Sequence, residues 1–175
     1  MKWIFRGMIL VLLDWDLALG GRNIGLLPDW LGYWWLAKGF WELEEEWHTF
    51  AKGRMPLLFL AVFSAVRYVM DLMVLSAGGK LLRWGLGLIG ALAAVLVARL
   101  VGNGIRGMEK ARDWDLRGDK LQSLWLYLTV MTVLAALLNW LVVVGTVCAV
   151  AVAVMAVCYL ATLWDSGRRY REYKG

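Results

Sequence analysis

Polar ligands and breakers are scarce in this chain. It has one histidine, His48, and two cysteines, Cys148 and Cys158. Zinc and haem centres draw on several such ligands, so neither is expected. The cysteines are ten apart in one apolar run, about 15 Å along a helix, so no intrahelical disulfide joins them. No Cys-x-x-Cys pair is present, which argues against thiol redox chemistry. Only 2 prolines interrupt 175 residues, and Asn, Gln and Ser are few, which argues against disorder. Gly-x-Ser-x-Gly, phosphate-cradling loops and His-Glu-x-x-His are all missing, so hydrolytic machinery is not visible and enzymatic activity is the less favoured reading. No metal or other cofactor is expected.

What is abundant is apolar surface. Hydrophobic residues make up 61% of the chain, and mean hydropathy is +0.61. Soluble domains carry about 45–50% apolar residues. The excess fits a chain solvated by lipid, and the expected fold is an all-α polytopic membrane helix bundle in one integral domain over 1–175. Spans need about 20 mostly apolar residues. Segments 56–77 and 81–101 meet this readily. The run 121–164 is twice the needed length and divides at a tight turn near Leu138–Leu141, giving 121–138 and 141–164. Segments 3–19 and 24–41 are shorter, the second opening at the helix-start pair Pro28-Asp29. The first begins with MKWIFRGMILVLL, which has the basic-then-apolar order of a signal peptide. Arg6, Asp14, Asp16 and the lack of a small-x-small cleavage site favour a retained segment.

Charge orients the bundle. The net charge is +5, with 19 Lys and Arg. With six spans and both termini cytoplasmic, only Arg22, Lys80 and Arg83 fall outside and Arg67 falls within a span. Every other basic residue lies on the inner side, concentrated in the charged segment 102–120 and after Trp164. Such a bias is the mark of cytoplasmic loops in the cytoplasmic membrane. The basic residues flank apolar runs and form no separate basic domain, so nucleic acid is not an expected partner. A short interfacial helix is expected within 102–120. Segment 41–54, rich in glutamate, reads as a helix leaving the membrane for water.

Aromatic and small residues follow the same plan. Many of the 12 tryptophans fall close to expected span ends, where an indole presents an apolar body and one donor to the headgroup region. Gly87, Ala91, Ala94 and Ala98 form one small-residue stripe, and Gly145, Ala149 and Ala153 form another. In lipid, such stripes let helices approach closely. They mark either packing inside the bundle or a contact with another copy or subunit. The expected partners are therefore the lipid bilayer, a homo-oligomer and other membrane subunits.

Candidate site residues are the polar ones out of place. Arg67 and Asp71 are four apart on one helix face inside a span, where a charge costs about 2.5–3.5 kcal/mol on insertion scales. Either they border a polar site, or they pair to fix helix register. Outside lie Asp14, Asp16 and Asp29, with Trp30, Tyr33 and Trp34 following. Asp-x-Asp can present oxygens to a divalent cation, but a polar helix end is the simpler reading. The tetrapeptide DWDL occurs twice, at 14–17 and 113–116. Its copies fall on opposite sides of the membrane and their flanks differ, so they do not form a duplicated site.

The stretch from Asp14-Trp-Asp-Leu through Gly-Gly-Arg-Asn-Ile-Gly-Leu-Leu-Pro-Asp-Trp-Leu-Gly-Tyr33 resembles small multi-pass membrane proteins of clostridia-like bacteria carrying a Leu-Leu-Pro-Asp-x-x-Gly-Tyr box. The resemblance covers about the first 50 residues and implies that Asp14, Pro28, Asp29, Gly32 and Tyr33 act as a unit. In length and helix number the chain is also similar to substrate-binding components of energy-coupling-factor vitamin transporters, although their Ala-x-x-x-Ala contact motif is absent from the first segment. The functional expectation is a membrane protein that binds or transports a small solute through a polar site of Arg67, Asp71, Asp14, Asp16, Asp29, Trp30, Tyr33 and Trp34. Aromatic faces beside carboxylates suit a cationic organic ligand. The alternative is an assembly or regulatory subunit of a membrane complex.

Overall fold

The computed structural model describes residues 1–12, 16–19, 22–25, 29–72, 80–138 and 142–174, with side chains outside the description at 16–19, 22–25, 70–72, 80–84, 86, 87, 142 and 145. Helix α1 (Lys2–Leu12) is followed by strands β1 (Asp16–Leu19) and β2 (Arg22–Gly25), paired antiparallel with Asp16 opposite Gly25. Then come α2 (Asp29–Glu44), α3 (Ala51–Leu72), α4 (Lys80–Arg112), α5 (Gly118–Leu138) and α6 (Val142–Lys174). The expected helical architecture is present. Within the described residues, four segments are long and apolar enough to cross a membrane: His48–Val69, Leu88–Arg112, Gly118–Leu138 and Thr146–Lys174.

The N-terminal pair departs from the expected boundaries. Helix α1 is described over Lys2–Leu12, and where the expected first segment continues to 19, Asp16–Leu19 is a strand. Helix α2 starts at Asp29, where an acidic residue faces the positive end of the helix dipole, and not at 24. At 11 and 16 residues, α1 and α2 rise only about 16 and 24 Å, against a hydrocarbon thickness of about 30 Å. They pack antiparallel at backbone distance. A Cβ built on Gly7 would lie 2.6 Å from the Gly32 carbonyl oxygen, and one on Gly39 would lie 2.9 Å from the Ile4 nitrogen. Ile4, Met8, Leu36 and Phe40 fill this seam and are almost fully buried.

Helix α4 is the spine of the second half. Val97, Ala98, Val101, Ile105 and Met108 are fully buried on it. Of its small-residue stripe, Ala98 is buried and Ala91 and Ala94 are half-buried, so this stripe serves packing within the bundle. Two side chains bond to its backbone: Trp125 Nε1 donates to the Val95 carbonyl at 2.9 Å, and the buried Tyr159 hydroxyl to the Ala98 carbonyl at 2.7 Å. In lipid, such bonds have no water to compete with them. Trp125 is therefore a packing residue, with the Arg99 guanidinium 5.0 Å from its ring.

At 33 residues each, α4 and α6 are about 50 Å long, some 20 Å more than hydrocarbon requires. The excess builds a polar cap. The expected interfacial helix within 102–120 is instead the continuous end of α4, closed by a turn in which Asp113 (φ 55°) and Arg117 (φ 59°) are left-handed. Asp113 thus ends α4 in the conformation common just past a helix C-terminus. Glu109 Oε1 accepts from the Gly118 amide at 2.7 Å, satisfying an orphan donor at the start of α5. The glutamate-rich segment breaks after Glu44 into a 3-10 turn, His48–Phe50. Phe50 from this turn packs on Gly104 and Thr49 on Gly107, so the turn seats directly on α4.

Candidate functional site

Of the eight residues expected to form one site, the side chains of five are described, and these five do not share one surface. Asp14 lies outside the described residues, as do the side chains of Asp16 and Asp71. Asp29 and Trp30 are half-buried at the start of α2. Tyr33 is buried in the α1–α2 seam, only 4% exposed, whereas Trp34, the next residue, points outward and is 56% exposed. Arg67 is half-buried on α3 and turned towards α4: a Cβ built on Gly90 would lie 2.8 Å from its Nη1. An arginine there faces protein and not lipid, as intramembrane charges generally do. Trp34 and Arg67 serve different surfaces.

Trp34 belongs to a groove of about 550 Å³ between α2 and α3, lined also by Ala37, Lys38, Trp41, Glu42, Glu45, Arg54 and Leu58. That volume falls within the usual range of small-molecule sites, about 300–1,000 Å³. Residues 34, 38, 41, 42 and 45 recur with helical spacing, which puts them along one face of α2 and the turn after it. This periodic stripe is the sequence signal for Lys38, Trp41, Glu42 and Glu45, none of which stands as an isolated charge inside a long apolar run. Both cations in the groove are held on indole faces. Lys38 Nζ lies 4.1 Å from the Trp3 ring centroid, and the Arg54 guanidinium 4.1 Å from that of Trp41. Arg54 also pairs with Glu44 at 3.6 Å. Its Nε is buried with no hydrogen-bond partner among the described residues.

The second DWDL copy has a structural answer. Trp114 is the centre of an aromatic cluster: Tyr173 stacks on it at 5.3 Å and 7°, while Trp47 and Tyr170 meet it edge-on at 6.0 Å. The Arg112 guanidinium covers Trp47 and Trp114 at 4.9 and 5.0 Å. Asp115 accepts from Arg169 at 2.7 Å, and Leu116 is fully buried. The Leu116 carbonyl accepts from the buried Ser166 hydroxyl at 2.6 Å. Arg117 pairs with Asp165 of α6 at 3.2 Å. At the same end, Glu46 accepts from the Tyr170 hydroxyl at 2.9 Å and from Lys174. These two bonds, Lys174 first, hold the Glu46 carboxyl below the ordinary value of 4.5. The tetrapeptide ties the α4–α5 turn to α6.

Four membrane-compatible helices, an intramembrane arginine turned to protein and a polar cap at one end define a multi-pass helical membrane protein. Comparison with protein-family models, with curated proteins and with solved structures returns no match to this chain.

Proposed function

We propose that this chain is a multi-pass protein of the cytoplasmic membrane, with both termini cytoplasmic, that binds a small zwitterionic organic solute in the groove between α2 and α3. Charge bias supports the orientation, since the cap holding Arg106, Arg112, Arg117, Arg168 and Arg169 then lies inside. Six segments keep both ends on one side.

The observation that carries the binding reading is the composition of the groove. Glu42 and Glu45 offer an ammonium two carboxylates, the part-exposed Arg54 guanidinium offers an acid group a positive charge, and Trp34 and Trp41 offer broad apolar faces. A purely cationic ligand would meet Lys38 and Arg54 as repulsion, so a solute bearing both charges fits better. The test is tryptophan fluorescence of the full chain in lipid nanodiscs, titrated with betaine, phosphoethanolamine and neutral amino acids. A saturable response to one of them is expected, and its loss in Glu42→Gln/Glu45→Gln and in Trp41→Ala. No saturable response to any of the panel, or one unchanged by those variants, would contradict the assignment. Uptake into proteoliposomes separates binding from transport: uptake lost in Arg67→Ala with groove binding intact supports passage along the α3–α4 interface.

A second reading, a subunit that assembles through α6, has an observation of its own. Ala149 and Ala153 of the second small-residue stripe are exposed, so these two are not packed against other described residues of the chain. Val143, Val147, Val150, Val154 and Val157 are also exposed on α6, at alternating spacings of four and three. That 3.5-residue period suits a helix from a second copy. Crosslinked dimers in native membranes, lost in Ala149→Leu/Ala153→Leu, would support it, and a monomer at all protein-to-lipid ratios would rule it out.

A further inference from the structure

We propose that the groove between α1 and the end of α6 holds the phosphate of an anionic phospholipid. The groove measures about 440 Å³ and is lined by Met1, Lys2, Phe5, Arg6, Leu163, Trp164 and Arg171, with Gly167 between the last two. Its side chains divide cleanly. Phe5 packs on Trp164 at 4.8 Å, and with Leu163 they make an apolar floor. Lys2, Arg6 and Arg171 form the rim, and no carboxylate lines it.

Glu42 lies towards the Met1 ammonium, and the other acids nearby are engaged elsewhere. Asp165 is held by Arg117 at 3.2 Å and Arg169 at 3.3 Å, Glu172 by Arg168 at 3.1 Å, and Glu46 by Tyr170 and Lys174. Three rim cations are therefore left in excess over one site. Arg6 and Arg171 also stay near aromatic faces, 5.5 Å from Trp3 and 5.8 Å from Trp164, which limits the rotamer freedom a ligand would have to remove. Trp164, 53% exposed, stands where the apolar run of α6 gives way to Asp165, Arg168 and Arg169, the depth at which indoles meet headgroups. A cytoplasmic-side pocket between membrane helices, basic at the rim and apolar below, matches an acidic headgroup with its acyl chains. A free phosphate would use the rim and leave the aromatic floor uncovered, so the lipid is the occupant.

Gly167 gives a second handle. A Cβ built there meets nothing within 4 Å, so a larger side chain fills the groove without disturbing the helix. The experiment is native mass spectrometry of the full chain released from nanodiscs containing equal phosphatidylglycerol and phosphatidylcholine. The wild type is expected to retain phosphatidylglycerol over phosphatidylcholine by about tenfold or more, given the attraction of several basic residues at a membrane surface. Lys2→Gln/Arg6→Gln/Arg171→Gln should abolish the preference. Gly167→Leu should abolish it too, with every charge in place. Lys52→Gln/Lys110→Gln/Lys120→Gln, which removes three exposed cations elsewhere, should keep it. Equal retention of the two lipids by the wild type would overturn the proposal. So would a preference surviving in either groove variant, an equal loss in the distal variant, or displacement by millimolar inorganic phosphate.

Discussion

Substituting Gly7 by alanine tests the packing of the N-terminal pair. The new Cβ would lie 2.6 Å from the Gly32 carbonyl oxygen, 2.6 Å from Leu36 Cγ and 2.9 Å from the Leu36 nitrogen. Ordinary contact begins at 3.4 Å, so α1 and α2 must part by about 0.8 Å, and two of the three obstructing atoms are backbone. Parting also loosens Ile4, Met8, Leu36 and Phe40, which are almost fully buried. Overpacking of this kind costs about 1–3 kcal/mol, while replacing a helical glycine by alanine returns about 1 kcal/mol. The rigid backbone obstruction places the cost at the upper end, and a net loss of about 1–2 kcal/mol follows. Gly85→Ala on α4 is the matched control, because its Cβ meets nothing within 4 Å and it carries only the helix-propensity gain. Thermal unfolding of both variants in nanodiscs, followed by tryptophan fluorescence, should show Gly7→Ala melting below the wild type and Gly85→Ala at or above it. Equal or higher stability for Gly7→Ala would refute the close approach of α1 and α2.

The cap yields three further expectations. Leu116→Ala removes a fully buried side chain beneath the α4–α5 turn and should cost about 2–5 kcal/mol in unfolding free energy, whereas a loss below about 1 kcal/mol would mean the turn is not seated on the core. Asp115→Asn should cost under about 1 kcal/mol, because the Asp115 side chain is 71% exposed and its pair with Arg169 is screened, and a larger loss would show a buried network instead. Glu46, with its carboxyl held below 4.5 by Lys174 and Tyr170, contributes stability that is present above that value and lost as pH falls through the lowered one. Wild type should therefore melt above Glu46→Gln at pH 6, with the gap closing below pH 4.5, and a gap that persists at pH 3 would contradict the linkage.

How much of this was legible in the sequence depends on what each residue faces. The membrane class follows from apolar content, and the break between α5 and α6 from the length of the run after Leu121, because both rest on solvent and helix geometry. The start of α2 at Asp29 was readable as helix-start chemistry. The strand pair at 16–25 was not, because nothing there alternates strongly enough to compete with a continued apolar segment. Gly104 and Gly107 gave a local signal in a charged segment, yet the aromatic and threonine side chains they admit come from residues 49 and 50, more than fifty positions away. The two small-residue stripes look alike on paper. Only the third dimension separates Ala98, buried against Tyr159, from Ala149 and Ala153, which face outward. For the same reason Tyr33 and Trp34, adjacent in sequence, part into core and groove, and a site assembled from neighbouring letters could not separate them.

The most direct test concerns the medium around the outward apolar faces, and Cys158 reports on it. Its side chain is exposed on α6 beside Val154 and Val157, which are themselves 54% and 55% exposed. In a bilayer those faces meet hydrocarbon, which a charged maleimide cannot enter. Intact membranes and inverted vesicles should both leave Cys158 unmodified by a membrane-impermeant maleimide, with full modification after solubilisation in dodecyl sulfate. Rapid labelling of Cys158 in undisrupted membranes from either side would place water against α6 and contradict the account.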